Sequence, residues 1–248
     1  MSNTVIIIPS RLQAKRLPDK PLKLIKNKEL ILHVYDLAVK SKVGEVLVVT
    51  PDQIIAELIK NNGGKSFITK KEHHSGTDRI FEGFQDFFSS KSKVIINLQG
   101  DMPNLDPNSI VELNDYLNRG LCDIGTLASS IKNKDELLNK NIVKVVTKNR
   151  IEKSIYSEAI DFERDISSSK SQFIYHHVGI YAFTKEALMR YVKLKRTKLE
   201  LERKLEQMRA MENKMKIHVG YVFSNPLSVD TNQDLSQVKK VMEDDTKS

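Results

Sequence analysis

The sequence predicts an α/β protein with a mostly parallel sheet and helices on both of its faces. Short runs rich in Val and Ile at 5–8, 45–50 and 94–98 have the composition of strands buried on both sides. Segments with apolar residues at helical spacing alternate with them through the first half of the chain, the signature of βαβ units. With 248 residues, 40% of them apolar, the chain can fill one large domain.

Residues 5–8 form the first strand and 9–21 a polar, basic loop. Leu30, Val34, Leu37 and Ala38 mark a helix over 30–39, and 45–50 is the second strand. A helix over 54–59 is closed by Gly63 and Gly64. A short strand at 65–68 precedes a helix over 77–88 with Ile80, Phe81, Phe84 and Phe88 on its inner face. Residues 94–98 form the most apolar strand, 106–117 a helix and 124–130 an extended segment. The second half reads differently. Residues 142–147 and 151–157 form a hairpin turning at 148–150, and 178–183 is a further strand. One helix spans 198–214, with Leu201, Leu205, Met208, Met211 and Met215 as its stripe. A strand at 217–222 and a helix over 234–242 close the chain, and the Ser-rich run 167–171 reads as a loop. Right-handed crossovers bring the loops after Ile8, Thr50, Ile68 and Leu98 to one rim of the sheet, where small ligands bind in such folds.

Composition narrows the function. The formal net charge of +8 suits nucleic acid, an acidic surface or small anionic substrates. The basic residues are scattered, and the densest run, 193–198, lacks the interleaved aromatics of a single-strand platform, so nucleic acid is not an expected partner. The single cysteine, Cys122, excludes an intrachain disulfide and reads as a half-buried thiol. No basic segment precedes the first strand and no apolar run approaches ~18 residues. A cytoplasmic protein without membrane insertion is the expectation.

Four segments carry chemistry. The loop from Pro9 offers Arg11, Lys15, Arg16 and Lys20, four cations that could hold a triphosphate by charge-assisted hydrogen bonds; it lacks the glycines of a dinucleotide or Walker loop. Gln99-Gly100-Asp101 ends the most apolar strand, where a carboxylate could hold Mg²⁺ beside phosphate oxygens; a turn aspartate is the plainer alternative. Asp230, in Val229-Asp230-Thr231, could complete that metal site or cap the last helix. His73 to Arg79 opens a helix whose backbone N–H groups suit an anion or a base edge, with Ser75 or Thr77 as a simple cap. The pair His73 and His74 has no further ligand spaced to make a zinc site.

In their order and spacing these segments resemble the 3-deoxy-manno-octulosonate cytidylyltransferases, and the likeness covers essentially the whole chain. It is carried by Pro9, Arg11 and the Arg-Leu-Pro-Asp-Lys-Pro of 16–21, by His73 to Arg79, by Gln99-Gly100-Asp101 and by the Asn-Ile-Val-Lys-Val-Val of 141–146. It continues through His177-Val178-Gly179-Ile180-Tyr181, the Leu-Glu-Gln-Met-Arg of 205–209 and the Val-Asp-Thr-Asn-Gln-Asp-Leu of 229–235. The resemblance implies a Rossmann-like sheet of the nucleotide-diphospho-sugar transferase type, one domain over 1–248 with a smaller dimerisation subdomain around 132–215, and a homodimer. It implies transfer of CMP from CTP to 3-deoxy-D-manno-octulosonate (Kdo) for lipopolysaccharide synthesis, with Mg²⁺ as cofactor. Lys20, Asp101 and Asp230 would be catalytic, and the two aspartates would hold the metal. Pro9, Arg11, Lys20, Ser75, Gly76, Thr77, Asp78 and Gln99 would bind the nucleotide. Arg16, Gln99, His177, Tyr181, Arg203 and Gln207 would bind the sugar acid.

The sequence departs from the family pattern in four places. Met102 and Pro51 stand where carboxylates are expected, Glu158 where a cation is expected, and Arg203 where a glutamate is expected. The last two changes have opposite sign, which suggests that Glu158 and Arg203 exchange charges across one pocket, with Arg203 and Gln207 one turn apart on a single helix. The departures leave open another acidic sugar as substrate, or a relative with weakened catalysis.

Overall fold

The computed structural model describes residues 3–13, 16–70, 72–73, 75–88, 92–166, 171–223 and 225–244. Lys15, His74 and most of the Ser-rich run lie outside them. The chain divides into two compact units, Met1–Val111 with Pro226–Ser248, and Glu112–Asn225.

The first unit is built on β1 (Thr4–Pro9), the small β2–β3 hairpin (Leu24–Ile25 and Lys28–Glu29), α1 (Leu30–Lys40), β4 (Glu45–Thr50), α2 (Gln53–Asn61), β5 (Ser66–Ile68), α3 (Gly76–Phe87) and β6 (Val94–Leu98). Its sheet runs β5-β4-β1-β6, and all three pairings are parallel. β1, β4 and β6 are the apolar runs seen in the sequence. Ile6, Ile7, Ile8, Leu47, Val48, Ile95 and Ile96 are fully buried, as expected of parallel strands covered on both sides. Helices α1, α2 and α3 pack on this sheet. Gly83 of α3 lies so near β4 that an added Cβ would stand 2.3 Å from Val49, so the helix can approach the strand only with glycine there.

After β1 the chain steps outward through β4 to β5, then returns to the other side of β1 to form β6. The carboxyl ends of β1 and β6 therefore flank the point where strand order reverses, which in open α/β sheets is where ligands bind.

α4 (Pro107–Leu117) leads into the second unit, which contains β7 (Ile124–Ser129), α5 (Lys134–Leu138), β8 (Lys144–Thr147), β9 (Ser157–Glu163), β10 (Ile174–Thr184), α6 (Lys185–Tyr191), α7 (Lys198–Arg203), α8 (Gln207–Glu212) and β11 (Ile217–Tyr221). Here only β7 and β11 pair in parallel; β10 with β7, β10 with β8, β8 with β9 and β9 with β11 are antiparallel. α9 (Asn232–Asp244) belongs to the first unit.

Two sequence expectations need correction in the second unit. The hairpin exists, but its second strand is Ser157–Glu163, not 151–157. The chain between the strands makes its own tight turn, with Glu152 paired to Ile155 and Ser154 at φ 61°. The single helix over 198–214 is two. Lys204 adopts a left-handed φ of 55°, which ends α7 and turns the chain before α8. Leu201 is consequently half-exposed, while Leu205, Met208 and Met215 are buried.

A buried ion pair joins the two pieces. Arg209 donates from Nε and Nη2 to both Glu200 carboxylate oxygens at 2.8 and 2.6 Å, and its guanidinium lies 4.7 Å from the centre of the Tyr191 ring. Burial alone would raise the Glu200 carboxyl, but Arg209 outweighs it and holds the group below the usual carboxylate range. Arg209→Ala leaves a charge buried without this fork and should cost about 3 kcal/mol, read as a lower midpoint in urea unfolding.

Candidate active site

The first loop rises from β1 at the switch point. Ser10 N donates to Val49 O at 3.0 Å, which keeps the loop against the end of β4. Asp19 takes a left-handed φ of 54°, and a 3-10 turn over Lys20–Leu22 follows, opened by Pro21. That turn delivers the Lys20 side chain inward. At the end of β6, Gly100 passes close to β1: a Cβ there would sit 3.3 Å from the Pro9 carbonyl and 3.1 Å from Ile31. Asp101 follows at once.

Asp230 arrives from the far end of the chain. Val229 N donates to Asp101 O at 2.9 Å, and Leu227 N donates to Asn104 Oδ1 at 3.0 Å, so this segment is stitched to the loop after β6. α9 is capped by the next residue. Thr231 Oγ1 accepts from Asp234 N, and the Asp234 carboxylate accepts from the N–H groups of Asp230 and Thr231. The Asp230 carboxylate is thus left for the site.

There Lys20 Nζ donates to Asp101 Oδ2 at 2.8 Å and to Asp230 Oδ1 at 3.1 Å, and Arg16 Nη2 donates to Asp230 Oδ2 at 2.8 Å. Burial would lower the Lys20 pKa; the charges and hydrogen bonds of Asp101 and Asp230 outweigh it and raise the pKa, so the ammonium stays charged. Two aspartates 129 positions apart in sequence meet around one cation.

They line a cavity of about 660 Å³ together with Pro9, Ser10, Arg11, Gln13, Arg16, Lys20, Pro21, His73, Ser75, Gly76, Arg79, Gln99 and Gly100. Of the expected nucleotide-binding residues, Pro9, Arg11, Lys20, Ser75, Gly76 and Gln99 line it. Thr77 and Asp78 do not. Thr77 is buried and its Oγ1 accepts from Asn97 Nδ2, while Asp78 and Ser75 cap α3 reciprocally: Ser75 Oγ accepts from Asp78 N and donates to Asp78 Oδ2. Gln99 is held by Nε2 donating to Asn97 Oδ1 at 3.1 Å.

His73 and Arg79, the two ends of a segment singled out in the sequence but without a role for either side chain there, also line the cavity. Arg79 sits in the first turn of α3 and reads there as a surface charge, yet it is buried and donates to Thr69 Oγ1 at 2.9 Å. Burial lowers its pKa, and the charge of Arg11 lowers it further; Asp52 and Glu82 oppose. His73 Nε2 meets Glu82 Oε2 at 2.5 Å, and Glu82 Oε1 accepts from Lys70 N. The cavity therefore presents several cations around two carboxylates.

Among the described residues no cluster of three or more His, Cys, Asp or Glu could hold a metal. Asp101 and Asp230 supply carboxylate oxygens that converge on the Lys20 ammonium. That set suits Mg²⁺, which keeps several waters and takes its remaining ligands from substrate phosphates, and it does not suit zinc.

The other expected sugar-acid residues belong to the second unit. His177 is buried, with Nε2 2.9 Å from Thr126 Oγ1 and its ring edge-on to Phe162; burial, aided by the charge of His176, brings its pKa down to about 3, so it is neutral. Tyr181 is buried, and burial together with the charge of Glu206 raises its phenol pKa. Gln207 is buried at the start of α8. Arg203 does not trade charges with Glu158. It donates to Asp161 Oδ1 at 2.5 Å and to Phe162 O at 2.9 Å and pairs with Glu163 at 3.5 Å, while Glu158 lies 4.0 Å from Lys148. Nor does it share a helix with Gln207, because Lys204 breaks the helix between them. Cys122 is buried rather than half-buried, and burial pushes its thiol up to about 12, which leaves it inert as a nucleophile.

Fold and cavity define the class: a nucleotidyltransferase that gathers phosphates at the switch point of a parallel sheet. The cytidylyltransferase family model matches residues 5–217. The 3-deoxy-manno-octulosonate cytidylyltransferase of Thermodesulfovibrio yellowstonii is 39% identical, over 96% of this chain and 98% of its own length. That of Bartonella henselae is 38% identical over the same shares. The structure of CMP:2-keto-3-deoxy-manno-octonic acid synthetase complexed with CTP superposes with a TM-score of 0.88 at 33% identity, covering 98% of this chain and all of that one. The chain belongs to the 3-deoxy-manno-octulosonate cytidylyltransferase family.

The Asp161–Glu163 pair makes a pH prediction. The hydrogen bond that protonated Glu163 donates to Asp161, then burial, then the Asp161 charge push the Glu163 carboxyl up to about 7 against the opposing pull of Arg203. A carboxyl raised on folding contributes stability in full below its ordinary value of 4.5, and that stability is lost as pH rises through about 7. Glu163→Gln should therefore raise the melting temperature at pH 8 and leave it nearly unchanged at pH 5, as scanning calorimetry at the two pH values would read.

Proposed function

We propose that the chain transfers CMP from CTP to Kdo, releasing diphosphate. The observation that carries this reading is the Lys20 ammonium held between Asp101 and Asp230 in a cavity lined by Arg11, Arg16 and Arg79. The anomeric hydroxyl of the sugar acid attacks the α-phosphate, a new P–O bond forms, and the bond to the β-phosphate oxygen breaks in line. No covalent intermediate on the protein is needed, so catalysis rests on position and charge. Arg11, Arg79 and Lys20 bind the triphosphate and stabilise the charge that grows on the leaving diphosphate. Gln99, fixed by Asn97, presents its amide to the nucleotide or the sugar acid. Arg16, exposed and bonded to Asp230, would meet the substrate carboxylate, a role that its match to the family motif supports. Asp101 and Asp230 would hold Mg²⁺, which when bound polarises phosphate oxygens and lowers the pKa of the attacking hydroxyl. His177, Tyr181 and Gln207 are assigned to the sugar acid by their match to the family motifs, and Arg203 by its place where the family pattern has a glutamate.

The enzyme is further proposed to act in the cytoplasm as a homodimer, supplying an activated sugar for lipopolysaccharide. Among the described residues no helix is long and apolar enough to cross a membrane. Sedimentation of the purified chain reads the dimer directly.

The reaction is tested by mixing the protein with CTP, Mg²⁺ and Kdo and measuring diphosphate, with a second acidic sugar alongside. Release with neither sugar rejects the proposal; release with the second alone moves the substrate and keeps the chemistry. Asp101→Asn should lower turnover by at least ~100-fold, the scale of losing one preorganised charge contact. Turnover close to that of the unaltered enzyme would remove Asp101 from the metal site.

A further inference from the structure

Asp52 occupies the position before α2 where an aspartate ordinarily caps the helix by accepting an N–H from its first turn. It makes no such bond. Its Oδ2 instead accepts from Leu12 N at 2.8 Å, across 40 residues of sequence. Asp52 is itself fixed, because its N–H donates to Thr50 Oγ1 at 3.1 Å and Thr50 is fully buried. The aspartate has given up a local bond worth about 1 kcal/mol to hold a loop.

The peptide it holds is central to the site. Leu12 N goes to Asp52, and Leu12 O accepts from Asp19 N at 3.3 Å. Arg11 precedes that residue, and Lys20 follows Asp19. Both cations are thus tied to one short stretch of backbone, which Ser10 N also anchors on Val49 O. Asp52 also acts through charge. Arg11 and Arg79 repel one another, and Asp52 with Glu82 supplies the opposing charge at Arg79. Asp52 does not line the cavity, so it acts through its neighbours.

We propose that Asp52 is a positioning residue of the nucleotide site, pinning the Arg11–Leu12 backbone and offsetting the repulsion between Arg11 and Arg79. The proposal deepens the reading that this cavity binds CTP. Asp52→Ala removes both acceptor and charge; Asp52→Asn keeps an acceptor oxygen and removes the charge. Asp52→Ala should raise KM for CTP about tenfold or more, as expected for a hydrogen bond to a charged group, and leave KM for the sugar acid within about twofold. Asp52→Asn should fall between the parent and Asp52→Ala. Losing the Leu12 bond should lower the thermal midpoint only by the scale of one hydrogen bond, less in Asp52→Asn than in Asp52→Ala. A calorimetric titration with CTP and Mg²⁺ separates the two readings, since a parent protein that binds CTP and releases no diphosphate fails as an enzyme yet still reports the effect of Asp52. An unchanged CTP affinity in Asp52→Ala overturns the proposal. So does an equal rise in both KM values, or an Asp52→Asn variant no better than Asp52→Ala. Should Asp52→Ala fail to fold, Asp52→Asn alone decides, with unchanged CTP affinity and KM counting against it.

Discussion

One ammonium shared by two carboxylates organises the site. Lys20, Asp101 and Asp230 come from three separate stretches of chain, and each depends on the other two. Without the aspartates, burial would drive the lysine toward its neutral form. Without the lysine, two carboxylates would face one another with only Arg16 to compensate. Backbone bonds make the meeting obligatory: Val229 N to Asp101 O sets the distance between the two acids, and the left-handed Asp19 turns Lys20 toward them. The same feature explains why the chain must return to its first unit at 226–244 after completing the second.

Around this triad the charges are arranged to be completed by an anion. Arg11 and Arg79 repel each other, and Asp52 and Glu82 oppose that repulsion at Arg79. On the proposed reading, a polyphosphate would add further anionic charge beside the two guanidinium groups. The two carboxylates prevent the cavity from being merely an anion trap. On the proposed reading they would hold Mg²⁺, and the site would then favour a metal-bound triphosphate over phosphate or sulfate. The net charge of +8 contributes to attraction at a distance, but it is the placement of four cations at the ends of β1 and in α3 that makes a site.

Much of this was legible in the sequence, for physical reasons that differ between elements. β1, β4 and β6 announce themselves because strands covered on both faces tolerate almost no polar residue, and loops following them must then share a rim. Asp101 and Arg11 were readable from that topology. Asp230 was ambiguous between metal ligand and helix cap; Thr231 takes the cap and settles its side chain on Lys20. Where a residue serves through a long-range bond, sequence offered no signal. Asp52 after Pro51 looks like any helix cap, and Arg79 in the first turn of α3 looks like a surface charge. The break at Lys204 was invisible because lysine rarely adopts a left-handed conformation and the apolar spacing runs unbroken through it. The hairpin misplacement came from 151–157, whose apolar residues fit a strand but are spent on the turn around Glu152 and Ile155.

The departures from the family pattern fall unevenly, and their distribution bears on what has been altered. Met102 is buried and does not line the cavity, so losing a carboxylate there leaves the Asp101–Lys20–Asp230 triad intact. Pro51 stands where the family pattern has an acid, and Asp52 beside it reaches the first loop. The nucleotide half of the site therefore retains its charges. The changes at 158 and 203 lie in the second unit, where Arg203 is not an available cation but the centre of an acidic cluster with Asp161 and Glu163. A guanidinium already engaged by two carboxylates attracts a sugar carboxylate weakly unless one of those partners is neutral, and Glu163, with its pKa near 7, is the partner that can be. On the proposed reading, selectivity among acidic sugars is the property open to these substitutions, while the Asp101–Lys20–Asp230 triad stays in place.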